Sequence, residues 1–228
     1  EHQVPVKPET VFQSGSTAKQ LAAALAMLLV EDGKLDLDKP IKTYFPDAPR
    51  AWDAITTRHL LSHTSGIPDY GPEFDLRRDY TDDERLKIIF DMKLEFAPGA
   101  RWNYSNTGYV LIGILLSRLG GAFYGDQLAQ RVFTPLGMTT RRIISEEEVI
   151  PNRAAGYRLD GDKIKNQEWV SPNMNTTADG ALYWTVLDLA KWADAQRRGA
   201  VLKPESWRAM TTPVQLKSGK TFPYGFGL

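Results

Sequence analysis

The sequence predicts a mainly helical chain with few strands, and three observations carry that reading. A ten-residue apolar stretch rich in alanine and leucine runs through residues 21–30. Thr81 with Glu84, and Thr185 with Asp188, each have the threonine-to-acid spacing of a capping box at a helix start. A hairpin turn signal is confined to one short segment, around Asp160 and Gly161.

Taken in order, residues 1–13 are proline-rich and read as extended, and residues 14–17 are small and polar and read as a helix start. The first helix is expected over residues 18–31, with Gly33 where a C-terminal stop belongs. Its interior is apolar almost all round, which predicts a buried central helix. Asp and Pro punctuate residues 35–49, which read as a surface loop. Thr56 or Thr57 would cap a short helix through Leu61, ended near Gly66 and Pro68. The first capping box, within the charged run Asp82, Asp83, Glu84 and Arg85, precedes a helix through Met92. Pro98 and Gly99 mark a turn. Apolar residues at helical spacing then predict a helix over 107–119, stopped at Gly120 and Gly121, and another over 123–133. Residues 153–169 hold the expected hairpin, with Asp160 and Gly161 as its turn. The second box opens a helix to about Arg198, and residues 204–210 form the last. No internal repeat or low-complexity linker interrupts the chain, so residues 1–228 read as one continuous unit.

Composition excludes several functions. Lys plus Arg equals Asp plus Glu, 28 each, so the formal net charge is zero. A nucleic-acid binder needs an excess of basic side chains to meet phosphates. Cysteine is absent, which rules out disulfides, thiolate metal sites and a thiol nucleophile, and leaves the compartment open. The apolar run at 21–30 is too short to cross a bilayer, which takes about 20 residues. The chain starts at Glu1 without a basic-then-apolar leader, so a processed or truncated start is expected.

The candidate chemistry begins at Ser16 and Lys19. A serine hydroxyl is a poor nucleophile at neutral pH and needs a base or a cation beside it. Position i+3 on a helix shares a face, so Lys19 can reach the Ser16 hydroxyl. Burial at the start of an apolar helix lowers the lysine pKa toward a useful range, and the helix N-terminus adds partial positive charge near the oxygen. The spacing alone is common, and a capping serine with a solvated lysine fits it too. Tyr104 and Asn106 form a second pair, the only Tyr-x-Asn in the chain, as residues 16–19 are its only Ser-x-x-Lys. A phenol beside an ammonium loses its proton more easily and can then act as a general base. An amide such as Asn106 can orient a substrate carbonyl or the lysine without changing charge.

Together these motifs resemble a known family, the serine β-lactamases of class C, the low-molecular-weight penicillin-binding proteins and D-alanyl-D-alanine carboxypeptidases, and related esterases. The stretch FQSGSTAKQ at residues 12–20 looks like the family's active-serine segment, and HLLSHTSGIP at 59–68 like its loop before the tyrosine. FAPG at 96–99 with YSNTGY at 104–109 looks like its tyrosine segment, and TADGALY at 177–183 and DLAKW at 188–192 also fit. They occur in the family's order and span nearly all of the chain.

The resemblance implies an α+β, β-lactamase/transpeptidase-like fold, with a helical lobe against a helix-flanked antiparallel sheet. It implies that Ser16 is the acylated nucleophile, Lys19 its proton partner, Tyr104 the general base or proton shuttle, and that Asn106 helps to hold substrate. The substrate would be a small ester, β-lactam or D-Ala-type peptide, with no cofactor. The family's third motif, Lys-Thr-Gly or His-x-Gly on a strand near the C-terminus, has no counterpart in this chain. The sequence is therefore expected to hold mostly the helical lobe, with the central sheet largely missing and with it the second N–H of the oxyanion hole, the first being that of Ser16. Loss of one such donor costs about 100- to 1000-fold in rate.

That departure supports a second class of reading, a catalytically impaired fragment or a non-catalytic binding protein that keeps the fold. A zinc pair at His59 and His63 is disfavoured, because the i, i+4 spacing lacks the glutamate of a metalloprotease helix, and no metal is expected. A Ser-His-Asp site is disfavoured by the absence of a Gly-x-Ser-x-Gly elbow. Trp169, Tyr183 and Trp184 read as core residues, with an acyl pocket as the other possibility.

Overall fold

The computed structural model describes residues 4–140, 142–145 and 147–228. The extended N-terminal segment ends in strand β1 (Phe12–Gln13), followed by a 3₁₀ turn over Gly15–Ala18 and helix α1 (Lys19–Glu31). Residues 21–29 are all buried, and α1 packs against three later helices, α4 (Asn106–Gly120), α5 (Tyr124–Leu128) and α7 (Pro204–Thr211). It is thus the central helix that its all-round apolar sequence predicts, and burying each of its leucines contributes about 2 kcal/mol. Gly33 follows at φ +71°, the left-handed stop expected there.

The segment 35–49 is less irregular than its Asp and Pro content suggests, since a 3₁₀ turn spans Ile41–Thr43 and buries Ile41. Thr56 caps α2 (Thr57–Leu61), and His59 Nδ1 accepts from the Thr56 N–H, which completes a capping box with histidine in the usual glutamate place. The box at Thr81 and Glu84 opens α3 (Asp82–Phe90). Ser105 caps α4, which stops at Gly121 in the left-handed conformation. Helix α5 runs on into a π turn over Ala129–Phe133, so residues 124–133 stay helical as the sequence predicts.

Strand β2 (Arg142–Ile143) and β5 (Leu182–Trp184) join β1 in an antiparallel sheet of order β1-β5-β2, with Gln13 and Arg142 both opposite Tyr183. Between them lies the exposed hairpin β3 (Tyr157–Asp160) and β4 (Lys163–Asn166). Asp160 pairs with Lys163, so the turn is Gly161 and Asp162, one residue later than expected. Gly161 at φ +58° occupies the first central position, where a type II′ turn requires glycine.

The Thr185 hydroxyl accepts from the Asp188 N–H and starts α6 (Val186–Arg198). The reciprocal half of that predicted box is absent. The buried Asp188 carboxylate instead accepts from the Thr139 and Thr140 N–H groups, because a buried carboxylate takes the donors within reach and these lie on an adjoining turn. After α7, strands β6 (Val214–Gln215) and β7 (Thr221–Phe222) form a second hairpin. Helix therefore dominates and the strands are short, within an α+β arrangement of small sheets. No single helix among the described residues is long and apolar enough to cross a membrane.

Candidate active site

Ser16 sits in the 3₁₀ turn that leads into α1, with its hydroxyl on the surface. At three residues per turn, positions i and i+3 lie directly above one another. Lys19 therefore stacks under Ser16, and its Nζ donates to Ser16 Oγ at 3.1 Å. The Lys19 side chain is 1% exposed. Its other two donors are also used: Asn106 Oδ1 accepts at 2.7 Å, and the Asp179 carbonyl oxygen accepts as well. Burial pushes the ammonium down to about 8 from the ordinary lysine value of 10.5, opposed by the Asp179 and Asp69 carboxylates. A lysine near 8 is partly neutral at physiological pH, so it can hold or accept a proton.

Tyr104 lies on the far side of the serine, and its Oη donates to Ser16 Oγ at 2.5 Å. Lys19 Nζ stands 4.9 Å from the Tyr104 ring centroid. The expected easing of the phenol's ionisation is not what the site produces. Burial raises the Tyr104 pKa, the hydrogen bond to Ser16 opposes this, and Asp179 and Asp69 raise it further. Burial is the largest of these effects, and the carboxylates act in the same direction.

Asn106 opens α4 and holds the lysine with its carbonyl oxygen. Its own Nδ2 and backbone N–H donate to the Asp69 carboxylate at 3.0 and 2.8 Å. Asp179 is fixed in turn by the Tyr70 and Thr177 hydroxyls. The following Gly180 packs on the Ser16 turn, where a Cβ would stand 3.1 Å from Gly15 C. The Ser14 hydroxyl ties the two together, donating to Gly180 O and accepting from the Leu182 N–H.

The structure thus brings Ser16, Lys19, Tyr104 and Asn106 into one hydrogen-bonded cluster. Sequence reasoning missed Asp69, Tyr70 and Asp179. Asp69 directly follows the 59–68 segment and Asp179 lies inside the 177–183 segment, but nothing in the sequence marks either as a partner of Lys19. His59 and His63 serve separate structures, and no group of three or more His, Cys, Asp or Glu that could hold a metal exists among the described residues. His2 lies outside the described residues. Tyr183 and Trp184 are buried as core residues, whereas Trp169 is exposed.

A buried lysine and a tyrosine converging on one serine at the start of a central helix define the serine β-lactamase and penicillin-binding-protein class. The Beta-lactamase family model matches residues 1–228, and the chain belongs to that family. It is 30% identical over 240 residues to penicillin-binding protein 4* of Bacillus subtilis, covering 98% of this chain and 53% of that protein. It is 26% identical to a D-aminopeptidase of Gluconobacter oxydans, covering all of this chain and 44% of that protein. Among solved structures, the D-amino acid amidase of Ochrobactrum anthropi in complex with L-phenylalanine amide superposes with a TM-score of 0.85 at 30% identity, over 99% of this chain and 67% of that one. The chain spans about half the length of the curated relatives it matches.

Proposed function

We propose that the chain is a serine hydrolase that works through an acyl-enzyme on Ser16. The observation that carries this reading is the double donation to Ser16 Oγ, from a fully buried amine and from a phenol. With a pKa of about 8, roughly a tenth of Lys19 is unprotonated at pH 7, and that form accepts the Ser16 proton as Oγ adds to a carbonyl carbon. Tyr104 keeps its proton at this pH and acts as the shuttle. The tetrahedral adduct collapses with cleavage of the C–O or C–N bond, and the leaving group takes a proton that returns from the Lys19 ammonium by way of Tyr104 Oη. Water then adds to the acyl group along the same path and frees Ser16. Asn106 holds the lysine on Asp69 and offers its amide toward substrate.

The substrate class is a small ester or amide, which includes β-lactams and D-Ala-type peptides. D-aminopeptidase and D-amino acid amidase among the relatives support an acyl group of that kind. The test is covalent labelling by a fluorophosphonate or a penicillin, followed by intact-mass spectrometry. One adduct on the native chain and none on Ser16→Ala is the expected result. Absence of an adduct, or equal labelling of Ser16→Ala, overturns the reading.

A further inference from the structure

The HLLSHTSGIP segment takes no part in the chemistry described so far, yet it is stitched to the tyrosine segment along its length. The Asn103 N–H donates to His63 O at 2.9 Å, Gly99 N–H to Thr64 O at 2.8 Å, and Glu95 N–H to Gly66 O at 2.9 Å. Gly66 is required there: its φ is +82°, and a Cβ would meet Phe96 O at 2.1 Å. His63 itself is 1% exposed and takes φ +57°, a backbone conformation uncommon for a non-glycine residue. Such an outlier persists only where its surroundings hold it.

What holds His63 also aims it. Its Nδ1 accepts from the Ser105 N–H at 3.2 Å, so the proton of the neutral ring is on Nε2 and is donated to Tyr224 Oη at 3.1 Å. Burial, with the nearby Lys19 charge, holds the ring neutral with a pKa of about 3. The imidazole lies 4.4 Å from the Tyr104 ring at an interplanar angle of 35°, with Tyr109 at 5.3 Å and Tyr224 at 5.0 Å. One side chain thus backs the Tyr104 ring, fixes the amide between Tyr104 and Asn106, and anchors the segment after β7.

We infer that His63 is a positioning residue for Tyr104: its neutral imidazole is the platform that keeps Tyr104 Oη on Ser16 Oγ. The inference rests on the proposed role of Tyr104. It is distinct from any proton transfer by His63, because both ring nitrogens are engaged away from the serine.

His63→Asn is the informative variant. Asparagine tolerates positive φ, and its Oδ1 can replace Nδ1 as acceptor for Ser105, while the ring and the bond to Tyr224 are lost. Tyr224→Phe is the milder partner, since it keeps the ring and removes the acceptor of the Nε2 proton together with the hydroxyl contact to Tyr109. The rate constant for fluorophosphonate labelling of Ser16 is measured for both variants in the wild-type and Tyr104→Phe backgrounds, with thermal midpoints alongside. His63→Asn should slow labelling about ten- to hundredfold, and Tyr224→Phe about two- to fivefold, with both effects shrinking below about twofold once Tyr104 is Phe. Equal losses in both backgrounds, or no loss in either variant, overturn the positioning role and leave Tyr104 in place. Wild-type labelling by Tyr104→Phe alone overturns the Tyr104 assignment and the positioning role with it. Should His63→Asn fail to fold, the Tyr224→Phe cycle decides by the same criterion.

Discussion

Ser16, Lys19 and Asn106 stand on helical turns, while His63, Asp69 and Asp179 stand on loops, and the two sets meet around one ammonium group. The helical set is placed by burial. α1 is clamped on several sides by other helices, and Lys19 is carried into the interior with it. The loop set is placed by hydrogen bonds to its backbone carbonyls that cross long stretches of sequence, from the Asn103 N–H to His63 and from Lys19 Nζ to Asp179. The difference has a chemical consequence. Core burial supplies the lowered lysine pKa, and the loops supply the carboxylates that hold it back from falling further.

Four changes break or sharpen this contrast. The largest effect is expected at Lys19. Lys19→Met keeps an apolar stem in the core but removes the base, and should slow Ser16 labelling about 10²- to 10⁴-fold at pH 8. A loss below tenfold would show that another group takes the proton. Next is Leu25→Ala, which leaves a cavity beneath the helical set and should lower unfolding free energy by about 2–5 kcal/mol in urea titration. A cost below about 1 kcal/mol would mean that α1 is not the centre of the core.

The third effect is acid sensitivity of the loop set. His63 is depressed to about 3, and His59 on the neighbouring helix α2 to about 4, in both cases chiefly by burial. Below the ordinary histidine value near 6.5 the unfolded chain binds protons that the folded chain does not, so stability falls as pH drops through the window between 6.5 and those values. For His63 the loss from pH 6.5 to 5 is about 1–2 kcal/mol. His63→Asn should flatten that part of the stability profile, and an unchanged slope would contradict the assignment. The smallest effect is at Asp69. Its charge raises the Lys19 pKa, so Asp69→Asn should move the rising limb of the labelling profile to lower pH, by up to about one unit. A shift to higher pH would contradict the stated sign.

This contrast also explains what the sequence made legible. α1, the Thr81 box and the stop at Gly121 follow from local periodicity and capping, which act within one or two turns. Ser16 and Lys19 were readable for the same reason, as a spacing on one helical face. The Thr185 hydroxyl does cap Asp188, but the Asp188 carboxylate does not return the bond, because its partners, Thr139 and Thr140, are 49 and 48 residues away. Asp69 and Asp179 were missed on the same ground: an acidic residue in a loop carries no mark of the amine it will face. Tyr104 was found by motif, but its pKa was expected to fall and instead rises. That sign comes first from burial and then from the Asp179 and Asp69 carboxylates, all of which only the tertiary fold supplies.

The most direct measurement is the pH dependence of Ser16 labelling by a fluorophosphonate between pH 6 and 10, followed by intact mass. If Lys19 accepts the serine proton from its buried seat, the rate constant rises about tenfold per pH unit and levels near pH 8. A flat profile, or a midpoint near the ordinary lysine value of 10.5, would contradict the account.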